Sequence, residues 1–322
     1  MIFPQKLKAG DEVRIIAPAM SYQIIGEDVR KIAIERLEKL GLKVSFGKNL
    51  GIIDSFVSSP IDARIKDLHE AYADKNVKAI FTVIGGFNSN QLLDLIDYEL
   101  IKQNPKMLIG YSDIAALQNA ILAKTGVVCY YGPHFSTLGM KYGADYSVEN
   151  LKHILFDNVP HIVVPAKEWS DDPEWFINQE DRHFNQNDGC WIINDGVAEG
   201  TLLGGEMTTF QLLYGTSYMP VDEDIILALE IEGGNKHILD RILQSTIHQP
   251  WFKNVRGLLL GRMESKCEIS KDDIVSIFNI HQELKNMPVL ANVDFGHTYP
   301  MATLPIGGIV KIANGSLTVV KH

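Results

Sequence analysis

Short apolar runs alternate with amphipathic segments along the first 124 residues, and this alternation limits the possible folds more than any other feature. The apolar runs predict strands at 13–18, 43–46, 78–84 and 107–109. Segments with apolar residues three and four apart predict helices at 26–40, 60–75, 89–103 and 114–124. Strands and helices in this order predict a parallel sheet with helices on both faces. Functional loops of such sheets lie beyond the carboxyl ends of the strands.

The character of the sequence changes twice in its second half. Residues 166–190 are polar, acidic and aromatic with little periodicity, which favours a linker or an active-site loop. Residues 191–322 contain short apolar runs separated by glycines, and they predict helices near 205–214, 236–247 and 271–285. We therefore predict an α/β protein in which residues 1–165 form a parallel-sheet domain, similar to flavodoxins and amidotransferases. A smaller, mixed α/β domain is predicted at 191–322.

Charge and cysteine content narrow the partners and the compartment. The formal net charge is −10, and an acidic surface repels phosphate backbones, so no nucleic acid partner is expected. Three widely spaced cysteines form no metal or redox motif, as is typical of a reducing compartment. The sequence contains no signal-peptide pattern and no apolar stretch of membrane length, so we expect a cytoplasmic protein without a membrane partner. Metal-binding and glycine-rich nucleotide motifs are missing too, so neither a metal nor a cofactor is expected.

Ser112 is the first candidate for chemistry. It follows the predicted strand 107–109 and precedes the predicted helix 114–124, within GYSD. Such a corner exposes a hydroxyl above the sheet and directs backbone N–H groups at the same point, where they can stabilise an oxyanion. The familiar nucleophile corner has glycine two residues after the serine, where this chain has Ile114. Taken alone, the motif therefore favours an N-capping serine.

A glycine pair and one histidine add to this candidate. Gly85 and Gly86 follow the strand 78–84, where the N–H of Gly86 can complete an oxyanion hole or simply form a turn. His297 lies in FGHTYP, and the nearby prolines make a rigid turn that fixes an imidazole. It is either a base for Ser112 or a loop histidine bonded to backbone.

A carboxylate that orients the imidazole is also required. Glu230 ends the apolar run IILALE, where a carboxylate is costly unless it is paired or hydrated. Glu232 lies two residues further on and is the alternative. Either glutamate can instead reach solvent.

These motifs, in this order, resemble the serine LD-carboxypeptidase family, and more closely its branch of microcin C self-immunity peptidases. The resemblance covers nearly the whole chain. It includes the segments KLKAGDEVRIIAPA, KAIFTVIGGFNSNQLL, MLIGYSDIAALQNAIL, AEGTLLGGEMTTFQLLYG, LALEIEGG and FGHTYPMATLPIGG.

The resemblance implies a role for each candidate. Ser112 is the implied nucleophile, His297 the base and then the acid, and Glu230 the residue that orients the imidazole. The backbone N–H groups of Gly86 and Asp113 are the implied oxyanion hole. The resemblance also implies a site between the two domains, a homodimer and no metal.

The substrate follows from the branch. Ile84 stands where muropeptide LD-carboxypeptidases usually have arginine, and the continuation FNSNQLL, with Asn88 as a substrate-binding candidate, is similar to the immunity branch. Enzymes of that branch cut the amide between a peptidyl aspartate and a modified adenylate, and an aromatic residue on a mobile loop stacks on the base. Trp175 is the candidate for stacking, with Trp169 and Trp191 as alternatives. Trp175 can also be a packing anchor of the loop or dimer.

One position departs from the family pattern. Related sequences generally have asparagine after the glycine pair of TLLGG, where this chain has Glu206. An ionised carboxylate only accepts hydrogen bonds, so contact between Glu206 and substrate would alter specificity. The expected function is a serine peptidase acting on a peptidyl-aspartyl nucleotide or a related small peptide conjugate. The alternatives are a muropeptide LD-carboxypeptidase and a non-catalytic peptide- or nucleotide-binding protein.

Overall fold

The computed structural model describes residues 1–173, 176, 179–180 and 182–322. Strands β1 to β16 are, in order, Glu12–Ile16, Lys43–Phe46, Val77–Thr82, Met107–Gly110, Cys129–Tyr131, His161–Val163, Glu168–Trp169, Asn185–Gln186, Trp191–Asn194, Ala198–Glu206, Ile225–Glu230, Val255–Gly261, Val289–Val293, Leu304–Ile306, Ile309–Ala313 and Ser316–Lys321. Helices α1 to α8 are Glu27–Lys39, Ile61–Ala73, Tyr98–Gln103, Ile114–Thr125, Asp145–Phe156, Met207–Gln211, Lys236–Ile247 and Lys271–Ile280.

The first sheet confirms the predicted parallel α/β architecture. Its order is β2-β1-β3-β4-β5-β14, and the pairs among β1 to β5 are parallel. This is the strand order of flavodoxin-like sheets, in which ligands bind outside the carboxyl ends of the strands. The central strand β3 buries five of its six residues, because helices cover both faces of a parallel sheet.

The second sheet is mixed, also as predicted. Its order is β6-β16-β15-β10-β11-β12-β13-β9. Neighbours from β10 to β13 are parallel, and the remaining pairs are antiparallel. Strand β11 is buried along its whole length, which places its last residue, Glu230, inside the molecule.

Two strands cross between the halves of the chain. Strand β6 pairs with β16 of the second sheet, and β14 pairs antiparallel with β5 of the first sheet. Strands β7 and β8 form a two-stranded ribbon within the predicted linker 166–190. The backbones of Ser170 and Tyr299 exchange two hydrogen bonds, so this segment lies against the turn that bears His297. The domain limits at 165 and 190 remain predictions.

Three predicted helices differ from the structure. The helix predicted near 271–285 ends at Ile280, and a separate 3-10 helix, Gln282–Leu284, follows it. The predicted helix 89–103 is a 3-10 helix, Ser89–Leu95, followed by α3, because the Asp97 side chain accepts a hydrogen bond from the N–H of Leu100 and starts a new helix there. The helix predicted at 205–214 is reduced to α6, because β10 continues to Glu206, whose carboxylate caps α6.

Helix α4 connects the two sheets and positions Ser112. Ten of its twelve residues are buried, and the Asn119 side-chain amide donates to the Gly204 carbonyl oxygen of β10 at 2.8 Å. The helix therefore lies between the first sheet, from which it emerges, and the second. Across the described ranges, no helix combines the length and apolar character needed to cross a membrane.

Candidate active site

Ser112 occupies a strained corner between β4 and α4. Its φ is +60°, a left-handed conformation that residues with a side chain rarely adopt. Gly110 makes the corner possible, since a Cβ there would lie 2.2 Å from Thr82 Oγ1. The N-cap of α4 is Asp113, so Ser112 does not cap the helix, and its hydroxyl remains available for another partner.

Ser112, His297 and Glu230 form one chain of hydrogen bonds. Ser112 Oγ lies 3.0 Å from His297 Nε2, and His297 Nδ1 lies 2.9 Å from Glu230 Oε2. Glu230 is 1% exposed, and a Cβ on Gly296 would come within 2.7 Å of its Oε2, so glycine is required there. A hydroxyl, an imidazole and a buried carboxylate in this order allow the imidazole to take the hydroxyl proton.

Tyr131 forms hydrogen bonds to Ser112 and Glu230, the two ends of this hydrogen-bonded series, and its role was not predicted from the sequence. Its hydroxyl donates to Glu230 Oε1 at 2.5 Å and accepts from the Ser112 N–H at 3.1 Å. Burial, together with the charge of Glu230, holds the pKa of Tyr131 well above its usual value, so the phenol stays protonated. Its position at the carboxyl end of β5, next to β4, is the feature that could have indicated its place near Ser112.

The two glutamates lie on different sides of His297. Glu230 faces Nδ1, whereas Glu232 Oε2 lies 3.4 Å from Nε2 and its side chain is 48% exposed. Burial lowers the pKa of His297, but Glu230 above all, with Glu232 and Glu264, raises it to about 9. Because the pKa is raised, the imidazole must release a proton before it can accept one from Ser112.

The loop after β3 is fastened to the Ser112 corner. Asp113 Oδ2 accepts hydrogen bonds from the N–H groups of Asn88 (3.0 Å) and Ser89 (2.8 Å), and Ser89 Oγ donates to the Asp113 carbonyl oxygen at 2.6 Å. Gly86 has a φ of +154°, and a Cβ there would lie 3.1 Å from the backbone nitrogen of Met20. These contacts hold Gly86 beside the nucleophile corner.

A cavity of about 450 Å³ opens at Ser112. Its wall combines residues that follow strands of both sheets with residues of the segment after β7. The lining residues are Met20, Ile84, Gly85, Gly86, Phe87, Tyr111, Ser112, His134, Asp171, Asp172, Pro173, Phe176, Glu232, Glu264, Lys266, His297 and Tyr299. Phe87 is 82% exposed and presents an aromatic ring at this cavity.

Two predicted substrate contacts lie outside the cavity wall. The Glu206 carboxylate is buried and accepts from Thr208 Oγ1 at 2.6 Å and from the Thr209 N–H at 2.7 Å, which explains its place at the start of α6. Burial raises the pKa of Glu206, and the neighbouring Glu230 adds to this shift. Asn88 is half-buried, and its side-chain oxygen accepts from Arg64 at 3.2 Å.

The tryptophan candidates are not brought to this cavity either. Trp175 lies outside the described residues. Trp169 and Trp191 line a separate cavity together with Arg262, whose guanidinium lies over the Trp169 ring, 5.2 Å from its centre. In the described parts of the chain, no group of three or more His, Cys, Asp or Glu side chains is arranged to hold a metal ion.

The fold and the hydrogen-bonded chain have the architecture of a serine hydrolase whose nucleophile sits on a strand-to-helix corner. The family model of the LD-carboxypeptidase N-terminal domain matches residues 13–132, and that of the C-terminal domain matches residues 199–312. The chain therefore belongs to the LD-carboxypeptidase family, which comprises serine carboxypeptidases and related hydrolases, as its motifs predicted.

Individual relatives agree with this assignment. The putative carboxypeptidase YocD of Bacillus subtilis is 46% identical over 97% of this chain and 96% of its own length. The microcin C7 self-immunity protein MccF of Escherichia coli is 31% identical over 95% of this chain and 91% of its own length. A probable murein peptide carboxypeptidase of Bacillus subtilis is 27% identical over 98% and 93%, respectively.

Solved structures share the whole fold. An MccF-like protein from Bacillus anthracis str. Ames has a TM-score of 0.97 and 44% identity, with complete coverage of both chains. MccF in complex with aspartyl sulfamoyl adenosine has a TM-score of 0.90 and 28% identity over 100% of this chain and 99% of the other.

Proposed function

We propose that this protein is a serine peptidase that hydrolyses the amide bond of a peptidyl-aspartyl nucleotide or a related small peptide conjugate. The observation that carries the proposal is the continuous contact from Ser112 Oγ through the His297 imidazole to Glu230, with separations of 3.0 and 2.9 Å. Both separations are within hydrogen-bonding distance, which supports the proposal.

In the proposed reaction, His297 Nε2 takes the Ser112 proton as Oγ attacks the substrate carbonyl carbon. The N–H groups of Gly86 and Asp113 stabilise the oxyanion. Glu230 keeps the His297 proton on Nδ1 and stabilises the imidazolium. His297 then protonates the leaving nitrogen, and a water molecule, activated by the same imidazole, releases the acyl group from Ser112.

Replacing the nucleophile tests this mechanism. Ser112→Ala is expected to lower kcat about 10⁴- to 10⁶-fold while the protein stays folded, because only binding and oxyanion stabilisation remain. The matched control is Ser276→Ala, which removes an exposed hydroxyl from α8 and should leave kcat unchanged. Near-normal turnover by Ser112→Ala would refute the mechanism.

The choice of substrate rests on two observations. MccF, a relative of the same fold, binds aspartyl sulfamoyl adenosine, in which an aminoacyl group is joined to a nucleoside. Ile84 lines the cavity in place of the arginine usual in muropeptide enzymes, so the wall lacks that cation. Incubation with a peptidyl-aspartyl conjugate that is joined to a modified adenylate through an amide bond should yield the peptide with a free carboxyl group and the nucleotide that retains the amide nitrogen. Mass spectrometry identifies both products.

Similarity to a murein peptide carboxypeptidase supports a second candidate, hydrolysis of an L,D-linked muropeptide. The same mass-spectrometric experiment with a muropeptide tetrapeptide distinguishes the two, because each predicts a different product. Return of both ligands intact after prolonged incubation would instead indicate a binding protein without turnover.

The proposal includes a cytoplasmic homodimer, as the family resemblance implies. Sedimentation velocity of the purified protein is expected to give twice the mass of 36.0 kDa. Fractionation of cells is expected to recover the protein with the cytoplasmic contents, and recovery elsewhere would contradict this part.

A further inference from the structure

His134 is a buried histidine on the wall of the active-site cavity with one ring nitrogen unused. It is 1% exposed, and its Nε2 has no hydrogen-bond partner within the described residues. It follows β5, so it lies at the same edge of the sheet as Ser112 and Gly86, which follow β4 and β3. A buried polar atom without a partner costs stability, and such an atom on a cavity wall indicates a ligand contact.

The other ring nitrogen determines which form of the imidazole is present. His134 Nδ1 lies 2.7 Å from Thr82 Oγ1, and Thr82 Oγ1 lies 3.3 Å from the Ile109 carbonyl oxygen. A carbonyl only accepts, so the Thr82 hydroxyl must donate to Ile109 if both contacts are hydrogen bonds. Thr82 then accepts from His134 Nδ1–H, which leaves a lone pair on Nε2 towards the cavity.

The surroundings keep this imidazole neutral. Burial holds the pKa of His134 well below its usual value, and the charge of His297 acts in the same direction. The Tyr111 ring packs against His134 with 4.3 Å between ring centres and also borders His297 at 5.2 Å. Nε2 therefore acts as a fixed hydrogen-bond acceptor rather than as a charged group.

The geometry places this acceptor beside the nucleophile. A Cβ built on Gly85 would lie 3.0 Å from Ser112 Oγ and 3.5 Å from His134 Nε2, so the two atoms flank the same point. A side chain at position 85 would therefore fill the space between them, which glycine leaves free of protein atoms.

The substrate carbonyl carbon bears three groups: the oxygen, the leaving nitrogen and the acyl α-carbon. The proposed reaction determines where the first two lie. The leaving nitrogen must face His297, which protonates it, and the oxygen must face the N–H groups of Gly86 and Asp113. The acyl α-carbon takes the remaining direction. His134 is a polar residue next to Ser112 that has no role towards the leaving nitrogen or the carbonyl oxygen, so it is available to the substituents of the α-carbon.

We propose that His134 determines specificity by accepting, at Nε2, a hydrogen bond from an N–H group on the α-carbon of the substrate's acyl part. This inference rests on the proposed function for its orientation of the substrate. The donor is a nitrogen with hydrogen, which an α-ammonium group and an α-amide both supply. An acyl part without such a nitrogen leaves Nε2 unpaired in a buried site and binds more weakly.

The test measures binding in Ser112→Ala protein, so it requires no turnover. Three probes differ only at the α-position: aspartyl sulfamoyl adenosine has an ammonium, its N-acetyl derivative has an amide N–H, and succinyl sulfamoyl adenosine has neither. Titration calorimetry is expected to show about 10- to 100-fold weaker binding of the succinyl probe than of a donor-bearing probe. Preference for the ammonium or for the acetylated probe identifies which source the site accepts.

Two variants of His134 form a matched pair in the same background. Asparagine at 134 reaches the Nδ1 position and keeps the Thr82 contact, but it lacks the atom on the cavity side. Glutamine places an amide oxygen near the position of Nε2. His134→Asn is expected to abolish the preference over the succinyl probe, and His134→Gln is expected to retain most of it.

Each contrary result has a definite meaning. An unchanged preference in His134→Asn, or binding of none of the probes, overturns the proposal. Equal weakening of all probes by both variants shows a structural role and overturns it too. If wild-type protein hydrolyses no conjugate but the preference for donor-bearing probes depends on His134, the proposed function fails while this subsite stands.

Nuclear magnetic resonance gives a second measurement without dependence on the variants folding. In wild-type protein with ¹⁵N-labelled histidine, the ring of His134 is expected to show an unprotonated Nε2 and a protonated Nδ1. The Nε2 resonance should move when the aspartyl or N-acetylaspartyl probe binds. A protonated Nε2 in the free protein would overturn the inference.

Discussion

Glu232 faces the nitrogen of His297 that must accept the Ser112 proton, so removing its charge should change the pH dependence of catalysis. The Glu232 carboxylate lies 3.4 Å from Nε2 and is 48% exposed, so water screens the pair strongly. Two unit charges at this separation in water interact by about 1 kcal/mol, which corresponds to roughly 0.7 of a pKa unit. Glu232→Gln is therefore expected to lower the pKa of His297 by about that amount.

The sign follows from the role of the imidazole. His297 must be neutral to act as a base, and its pKa of about 9 means that kcat/KM rises as the pH increases through that value. In Glu232→Gln this acidic limb should move to lower pH. The ratio of kcat/KM at pH 7 to its plateau value at high pH should therefore be about fivefold larger than in the wild type. The whole profile from pH 5 to 10 is needed, because the position of the limb does not depend on the plateau rate.

Two controls isolate the electrostatic effect. Glu35→Gln removes an exposed carboxylate of α1 that does not line the cavity, and it should leave the acidic limb at the wild-type pH. Added salt should shift the wild-type limb to lower pH and have less effect on Glu232→Gln, since salt screens exposed charges. An acidic limb that stays at the wild-type pH in Glu232→Gln would refute the reasoning.

Three further substitutions test separate contacts. Tyr131→Phe removes a hydrogen bond to Glu230 and should lower kcat/KM about tenfold in steady-state assays; unchanged kinetics would show that the phenol does not support the carboxylate. Gly85→Ala puts a Cβ 2.9 Å from Ser112 Cβ and should lower kcat about 100-fold with little change in melting temperature, whereas full activity would mean that the corner tolerates displacement. Phe87→Ala removes the exposed ring at the cavity and should raise KM about threefold to tenfold for a nucleotide conjugate but not for a substrate without a base; equal effects on both substrates would exclude stacking.

Strands β1 to β4 of the parallel sheet were predictable because each coincides with a short segment rich in apolar residues, whereas β5, Cys129–Tyr131, was not predicted. The ends of the helices were less predictable from the sequence, since they depend on single side chains. Asp97 ends one predicted helix and starts α3 through its hydrogen bond to the N–H of Leu100. The Glu206 carboxylate plays the same part for α6, where the sequence had suggested a substrate contact.

The site was predictable to the extent that its residues follow strand ends within recognisable motifs. Ser112 alone favoured a helix cap, and only the series of family motifs paired it with His297 and Glu230. Tyr131 and His134 escaped notice because a buried tyrosine and a loop histidine are common, and their roles depend on neighbours distant in sequence. Both residues lie at or just after the carboxyl end of β5, next to the strand end that bears Ser112, and this position could have marked them as candidates.

Strand β14 has a practical consequence for anyone who builds chimeras of this protein with a relative. Residues 304–306 belong by sequence to the last fifth of the chain but complete the edge of the sheet that β1 to β5 begin. A chimera joined at residue 165 or 190 would thus pair β5 with the edge strand of the relative. This strand begins only seven residues after His297. Successful exchange of halves requires the register between Leu304 and Tyr131 to be matched as carefully as the residues of the site.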